Sequence, residues 1–149
     1  MSTSREYPDL PRVGVGAVIL EEDRVLLVRR GSTPSQGKWS IPGGLVHLGE
    51  TTAAATLREV EEECGLKVRL QGIAGVVDRI VPGNDGRIRY HYVLVDYLAV
   101  PESGAARAGS DAAEVRWVPV GELGRYDTTE GLAEMVMKAQ RLLEGEARR

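Results

Sequence analysis

Phenylalanine is absent from these 149 residues, cysteine occurs once, and lysine three times. No apolar run approaches the roughly 18 residues that a membrane-spanning helix needs. Each shortage narrows the field. A single Cys64 allows no intrachain disulfide, which fits a reducing compartment and points to the cytoplasm. The opening MSTSREYPDLP has no apolar core segment, so neither a signal peptide nor a membrane partner is expected. Positive charge is not in excess: 19 Lys and Arg against 22 Asp and Glu leave a net charge of −3. That argues against a nucleic-acid partner, whose binding needs a basic face. Among the bases only Lys38, Lys67 and Lys138 are lysines. The arginine bias suits phosphate recognition and, as often, an ordinary charged surface. Internal repeats and low-complexity tracts are missing as well.

What is present is ordinary for a globular protein, with 42 % hydrophobic and 28 % charged residues. The length suits one domain over residues 1–149, burying roughly two-thirds of the surface that its unfolded chain exposes. Residues 1–11, the Gly/Ala/Ser-rich Pro101–Ala113 and the tail Glu144–Arg149 are expected to be flexible.

Val13–Leu20 predicts a strand apolar on both faces, with Gly14 and Gly16 leaving room for close approach of backbone or ligand. A polar turn leads to a second strand, Arg24–Arg30. A Gly/Ser/Pro loop and a short extended piece, Trp39–Gly44, come next. Lys67–Val81 and Arg87–Ala99 predict two long strands around the turn signal Pro82-Gly83-Asn84-Asp85-Gly86. The second places Ile88, Tyr90, Tyr92 and Leu94 on one face and Arg87, Arg89 and His91 on the other. Glu114–Val118 predicts a short strand. Asp127 with Glu130 predicts the start of a last helix, striped by Leu132, Met135, Val136, Ala139, Leu142 and Leu143. This order alone implies an α/β or α+β sandwich.

Between these strands lies the densest chemistry, Gly44–Leu66. Its Ala/Thr/Leu run predicts a helix stopped by Gly65. Ala53, Leu57, Val60 and Cys64 form an apolar stripe, so Cys64 reads as a core residue and not as a nucleophile. Glu59, Glu62 and Glu63 share a sector of roughly 100° on the other side, and Glu61 lies on the flank nearer the stripe. Like charges at i,i+3 and i,i+4, near the negative end of the helix dipole, are unfavourable by a few tenths of a kcal/mol each. A divalent cation reverses the sign of all these effects, and clustered carboxylates are the oxygen ligands that Mg²⁺ takes. An acidic run in general is a solvated face.

The spacing is what distinguishes this run: Gly44, five residues, Glu50, seven residues, Arg58-Glu59, an aliphatic, any residue, Glu62-Glu63, any residue, Gly65, an aliphatic. Seven fixed residue types at fixed spacing arise by chance at about 10⁻⁹ per start site. The stretch resembles the Nudix box, and the likeness to Nudix hydrolases extends from the strand near Val13 to the Trp117 region. The resemblance implies the family's α/β/α sandwich with a mixed curved sheet between helices. It also implies hydrolysis of a nucleoside diphosphate linked to another moiety, using Mg²⁺ or Mn²⁺. By matching positions, Glu59, Glu62 and Glu63 are the implied metal ligands, with a carbonyl of Gly43 or Gly44 adding another. Glu62 or Glu63 is the implied base. Arg58 and Glu50 are implied supports of these carboxylates, against an ordinary surface pair and cap. Glu114, with Asp111 behind it, is the implied further acid from the loop after the box; a plain strand-start glutamate fits Glu114 as well.

Outside the box, Pro82 falls sixteen positions after Leu66, resembling the marker placement of ADP-ribose pyrophosphatases, although it also opens a self-sufficient turn. GKWSIPGGLVHLGE and EVRWVPVGEL are similar to bacterial members of that branch. The SQPWPFPxS motif of NADH pyrophosphatases is absent. Arg29, Arg79 and Arg89 are candidate phosphate clamps and Trp39 a candidate stacking surface; Tyr90, on the apolar face, reads as core. The resemblance thus implies a small-molecule nucleotide substrate, ADP-ribose, split to AMP and ribose 5-phosphate. The alternatives are a pyrophosphohydrolase of dNTPs or oxidised dNTPs and a non-catalytic nucleotide-sensing module. As often in the family, a homodimer is implied.

Overall fold

Alternation decides where each residue of the first two strands points in this computed structural model, which describes residues 5–31, 36–109 and 112–147. β1 (Arg12–Glu21) and β2 (Arg24–Arg30) are apolar at consecutive positions because both of their faces are covered. Val18, Leu20, Val25 and Leu27 enter one core, with Trp39, Leu98 and the C-terminal helix residues Leu132, Met135, Val136 and Ala139. Ala17, Ile19, Leu26 and Val28 enter the opposite core, with Val60, Cys64, Leu66 and Ala99. A sheet between two helices follows directly, as the α/β/α expectation requires.

The remaining strands are β3 (Trp39–Ser40), β4 (Gly43–Leu45), β5 (Lys67–Pro82), β6 (Ile88–Ser103) and β7 (Ala112–Pro119). β1 runs parallel to β6, Arg12–Ile19 against Tyr92–Ala99, and every other pairing is antiparallel. Along its other edge β1 pairs first with β4, at Gly14–Gly16, and then with β2, at Leu20 and Glu21. The sheet order is therefore β3-β2-β1-β6-β5, with β4 added to β1 and β7 to β2. A 3₁₀ turn, Val120–Arg125, leads from β7 toward the last helix.

Helix α1 (Thr52–Cys64) is closed at both ends as its sequence demands. Thr51, in extended backbone, accepts from the Ala54 amide at 3.0 Å. Gly65, at φ 70°, takes the left-handed stop that a side chain resists, and its amide donates to Glu61 O at 3.0 Å. The buried stripe differs from the expected one. Ala55, Thr56, Val60 and Cys64 are buried, whereas Leu57 is 41 % exposed and Glu61 faces solvent. Two local features explain the roll. Thr56 is tolerated in the core because its hydroxyl donates to Thr52 O at 2.8 Å. The glycines of β4 let the Glu59–Glu63 side of the helix approach the sheet.

Helix α2 (Leu132–Ala147) buries Leu132, Met135, Val136 and Ala139 and half-buries Leu142 and Leu143, the expected stripe. Its start differs: the helix begins only at Leu132, past Asp127, whose carbonyl accepts from the Trp39 amide at 2.9 Å in a bridge that ties residues 127–129 to β3. Regular structure and hydrogen bonds reach into the described parts of the three stretches expected to be flexible. β6 runs on to Ser103, α2 reaches Ala147, and Tyr7 donates its amide to Arg89 O at 2.7 Å.

Candidate active site

Where β1 exchanges partners, a cleft of about 790 Å³ opens against β4, β6 and the start of α2. Glu59, Glu62 and Glu63 of α1 stand on its wall beside Gly43 and Gly44. Gly44 is glycine for a steric reason: a β-carbon there would land on the Glu59 carboxylate, and one on Gly43 would strike the Val15 carbonyl. The Gly43 amide donates to Glu63 Oε2 at 3.2 Å, so the strand orients one of the carboxylates directly.

Arg58 organises the others. Its Nε and Nη2 grip Glu50 Oε2 and Oε1 at 2.7 and 2.8 Å, a bidentate pair. Nη1 donates to Glu59 Oε1 at 2.6 Å and to Glu62 Oε2 at 3.4 Å, while Nη2 also reaches Leu45 O at 3.0 Å. The fork thus ties the loop after β4 to two turns of α1. Glu50 is held down to about 2 by its bonds from Arg58 and by the His47 amide at 3.0 Å, and Arg58 is raised in return. One guanidinium is shared by three carboxylates, and the charge of Arg30, on the same cleft, interacts with Glu63.

The connection after β6 closes the C-terminal end of the same helix. Arg107 and Gly109 donate their amides to Cys64 O and Glu63 O, each at 2.9 Å, satisfying carbonyls left open there. Glu114 lies on β7 opposite Arg29, 3.6 Å from its Nη2, and takes a 2.5 Å bond from Arg116. It is not on the cleft wall, whereas Arg29 is. Asp111 lies outside the described residues. Cys64 is fully buried and its thiol is pushed up to about 12, chiefly by burial, so it stays a core residue.

The arginines and aromatics chosen for substrate contact part company. Arg79 lines the cleft and donates to Glu130 O at 2.8 Å, joining β5 to the turn before α2. Arg89 instead pairs with Glu6 at 2.8 Å beside the hairpin tip, away from the cleft wall. Trp39 is buried edge-on against Tyr126, 5.6 Å between centroids, and does not line it either. Tyr90, read as core, is buried yet also borders the cleft, stacked on Tyr92 at 6.1 Å. Pro82 ends β5 on the exposed hairpin. Asp96 escaped the sequence reading altogether. It is 8 % exposed and lines the cleft, and burial raises it to about 6 against the opposing pull of Arg79. Its signal was a lone carboxylate in the apolar run YVLVDYLAV.

The donor set fits a hard divalent cation: three carboxylates and strand carbonyls, all oxygen, on a wall where Gly44 leaves space. Among the described residues no three acidic, His or Cys side chains already converge on one point. Arg58 Nη1 ties Glu59 to Glu62, while Glu63 is held separately by the Gly43 amide. No helix among the described residues is long and apolar enough to cross a membrane.

Known proteins place this arrangement. A MutT NUDIX hydrolase structure from Burkholderia pseudomallei is 31 % identical, with a TM-score of 0.77 over 87 % of this chain and 98 % of that one. The ADP-ribose pyrophosphatase of Methanocaldococcus jannaschii is 32 % identical over 113 residues, 76 % of this chain; the match spans 64 % of that relative's length. A protein named putative 8-oxo-dGTP diphosphatase 2, from Mycobacterium tuberculosis, is 32 % identical over 93 % of this chain and 94 % of its own. The NUDIX domain family matches residues 10–139. Its enzymes generally use divalent metal ions and act on small-molecule nucleotide substrates. With that match running from before β1 into α2, the chain belongs to the Nudix hydrolase family.

Proposed function

We propose that the chain, acting as one domain, is a Mg²⁺-dependent pyrophosphohydrolase that splits ADP-ribose into AMP and ribose 5-phosphate. The observation that carries this is the shared wall of Glu59, Glu62 and Glu63 beside Gly43 and Gly44. These carboxylates, with the Gly43 carbonyl, are the residues that would hold Mg²⁺, for which Mn²⁺ can substitute. When bound, the ion supplies charge neutralisation on the diphosphate oxygens and lowers the pKa of water. Arg58 keeps Glu59 and Glu62 oriented through its fork, itself anchored on Glu50. Glu62 or Glu63 takes the proton of the attacking water on a carboxylate oxygen. Arg29 and Arg79 extend positive charge along the cleft for the phosphates.

ADP-ribose is supported by the Methanocaldococcus relative's name and by the spacing of Pro82 from the box. A second reading, hydrolysis of an oxidised dNTP to its monophosphate and pyrophosphate, draws on the Mycobacterium relative, which matches nearly end to end. Incubation with Mg²⁺ and each compound, with products resolved chromatographically, separates them. ADP-ribose should release AMP, and absence of turnover across the panel would contradict both readings. Glu62→Gln should lower the rate on the order of 10²-fold or more while leaving the circular dichroism spectrum unchanged.

A further inference from the structure

Across the sheet the register sets four residues in one row, Gly43 on β4, Gly16 on β1, Asp96 on β6 and Gly75 on β5. Asp96 therefore stands two strand spacings, on the order of 10 Å, from the strand that orients Glu63. Its neighbours in that row have no side chains. A β-carbon on Gly16 would lie 2.5 Å from Asp96 Oδ1 and 2.8 Å from Ile41 Cδ1, and one on Gly75 would lie 3.0 Å from Met135 Cε. Gly43, Gly16 and Asp96 of this row line the cleft as a slot flanked by the apolar side chains of Ile41 and Met135, and Met135 closes it over Gly75.

Among the described residues no hydrogen bond reaches the Asp96 carboxylate; the charge that acts on it is Arg79 of β5. Glu134 of α2 and Glu130 in the turn before it also line the cleft, Asp78 lines it from β5, and β1 contributes no charged group. No side-chain oxygen of the described residues is both sealed from solvent and unpartnered, so the Asp96 carboxylate, largely desolvated and without a protein donor, opens its oxygens onto the cleft, where a ligand's donors can meet them.

We propose that Asp96 is a specificity-determining residue that accepts both hydroxyls of a ribose cis-diol in the substrate. The chemistry is that of a carboxylate with two acceptor oxygens meeting two adjacent O–H donors, the arrangement by which acidic residues read ribose in dinucleotide sites. The distance from Gly43 suits a sugar attached to a diphosphate held at the α1 wall. Purine rings also carry donors, but their flat edges gain most from stacking, and the cleft's aromatic pair, Tyr90 and Tyr92, lies four to six residues back along β6. The inference rests on the cleft being a nucleotide site but not on ADP-ribose being the substrate.

Calorimetric titration of the metal-free protein tests this apart from turnover. One arm compares AMP with dAMP and reports on the nucleoside ribose. The other compares ribose 5-phosphate with 2-deoxyribose 5-phosphate and reports on the distal one. In one arm the diol should bind at least about tenfold more tightly than its deoxy partner. Asp96→Asn, which preserves shape, should reduce that ratio several-fold without a comparable loss for the deoxy ligand. Gly16→Ala should weaken the diol selectively by narrowing the slot. Equal binding within both pairs, undetectable binding in both, or a ratio that survives Asp96→Asn overturns the proposal.

Discussion

Arg58 is a single cation with five N–H donors, and all of its nitrogens are committed: to Glu50, Glu59, Glu62 and the Leu45 carbonyl. Lysine conserves the charge but is a point donor that cannot hold three carboxylates and a carbonyl in a fixed fork. Arg58→Lys should therefore lower kcat/KM by roughly 10- to 100-fold, as loss of a residue orienting metal-binding carboxylates commonly does. The same variant should let Glu50 titrate upward from about 2 toward the usual carboxylate range, visible in an NMR pH titration. Retained activity with a displaced Glu50 titration would confine Arg58 to a structural role. Gly44 makes a complementary point about space. A methyl group there meets the Glu59 carboxylate, so Gly44→Ala should weaken Mn²⁺ binding, measured by electron paramagnetic resonance, while Tm changes little.

Helix α1 shows how far one element can be read from its own residues. Its ends are local chemistry, a threonine and a glycine, and both act as their types predict. Thr51→Ala should cost about 1 kcal/mol and lower Tm by about 3 °C in a chain of this length. Its facing is not local. Ala53, Leu57, Val60 and Cys64 make a good stripe on paper, but the helix turns Glu59 and Glu63 toward β4, because Gly43 and Gly44 on that strand vacate the space. Leu57→Ala should accordingly cost under about 1 kcal/mol and Val60→Ala about 2 kcal/mol or more, by chemical denaturation; the reverse order would mean the helix is rolled the other way. The same distinction separates the site residues. The box is contiguous, so its spacing alone puts the three carboxylates on one side of the helix, and the approach of β4 makes that side the cleft wall. Arg79, Arg89 and Trp39 look alike in sequence as contact residues, yet only the pairing of β5 with β6 and the capture of residues 127–129 by Trp39 decide that Arg79 faces the cleft and the other two do not.

For the molecule as a whole, two carboxylates pull stability in opposite directions as pH changes. Glu50 is held down to about 2, so the stability it lends is present above its unfolded value and lost as pH falls through about 2. Asp96 is raised to about 6 by burial, so the folded state binds its proton more tightly than the unfolded chain does. Stability from that proton is full below the ordinary carboxylate range and disappears as pH rises from about 4 through about 6. The size is about 2 to 3 kcal/mol, because a tenfold change in proton affinity is worth about 1.4 kcal/mol. The wild-type protein should thus be most stable near pH 4 to 5 as far as these two groups decide, losing Tm toward pH 7.5. Asp96→Asn removes one side of this balance: its Tm should match the wild type near pH 4 and exceed it by several degrees at pH 7.5. Parallel Tm curves for the two proteins would show that Asp96 is not the source. A variant that is more stable at neutral pH yet poorer at telling ribose from deoxyribose would have the signature of a residue placed for binding at the expense of the fold.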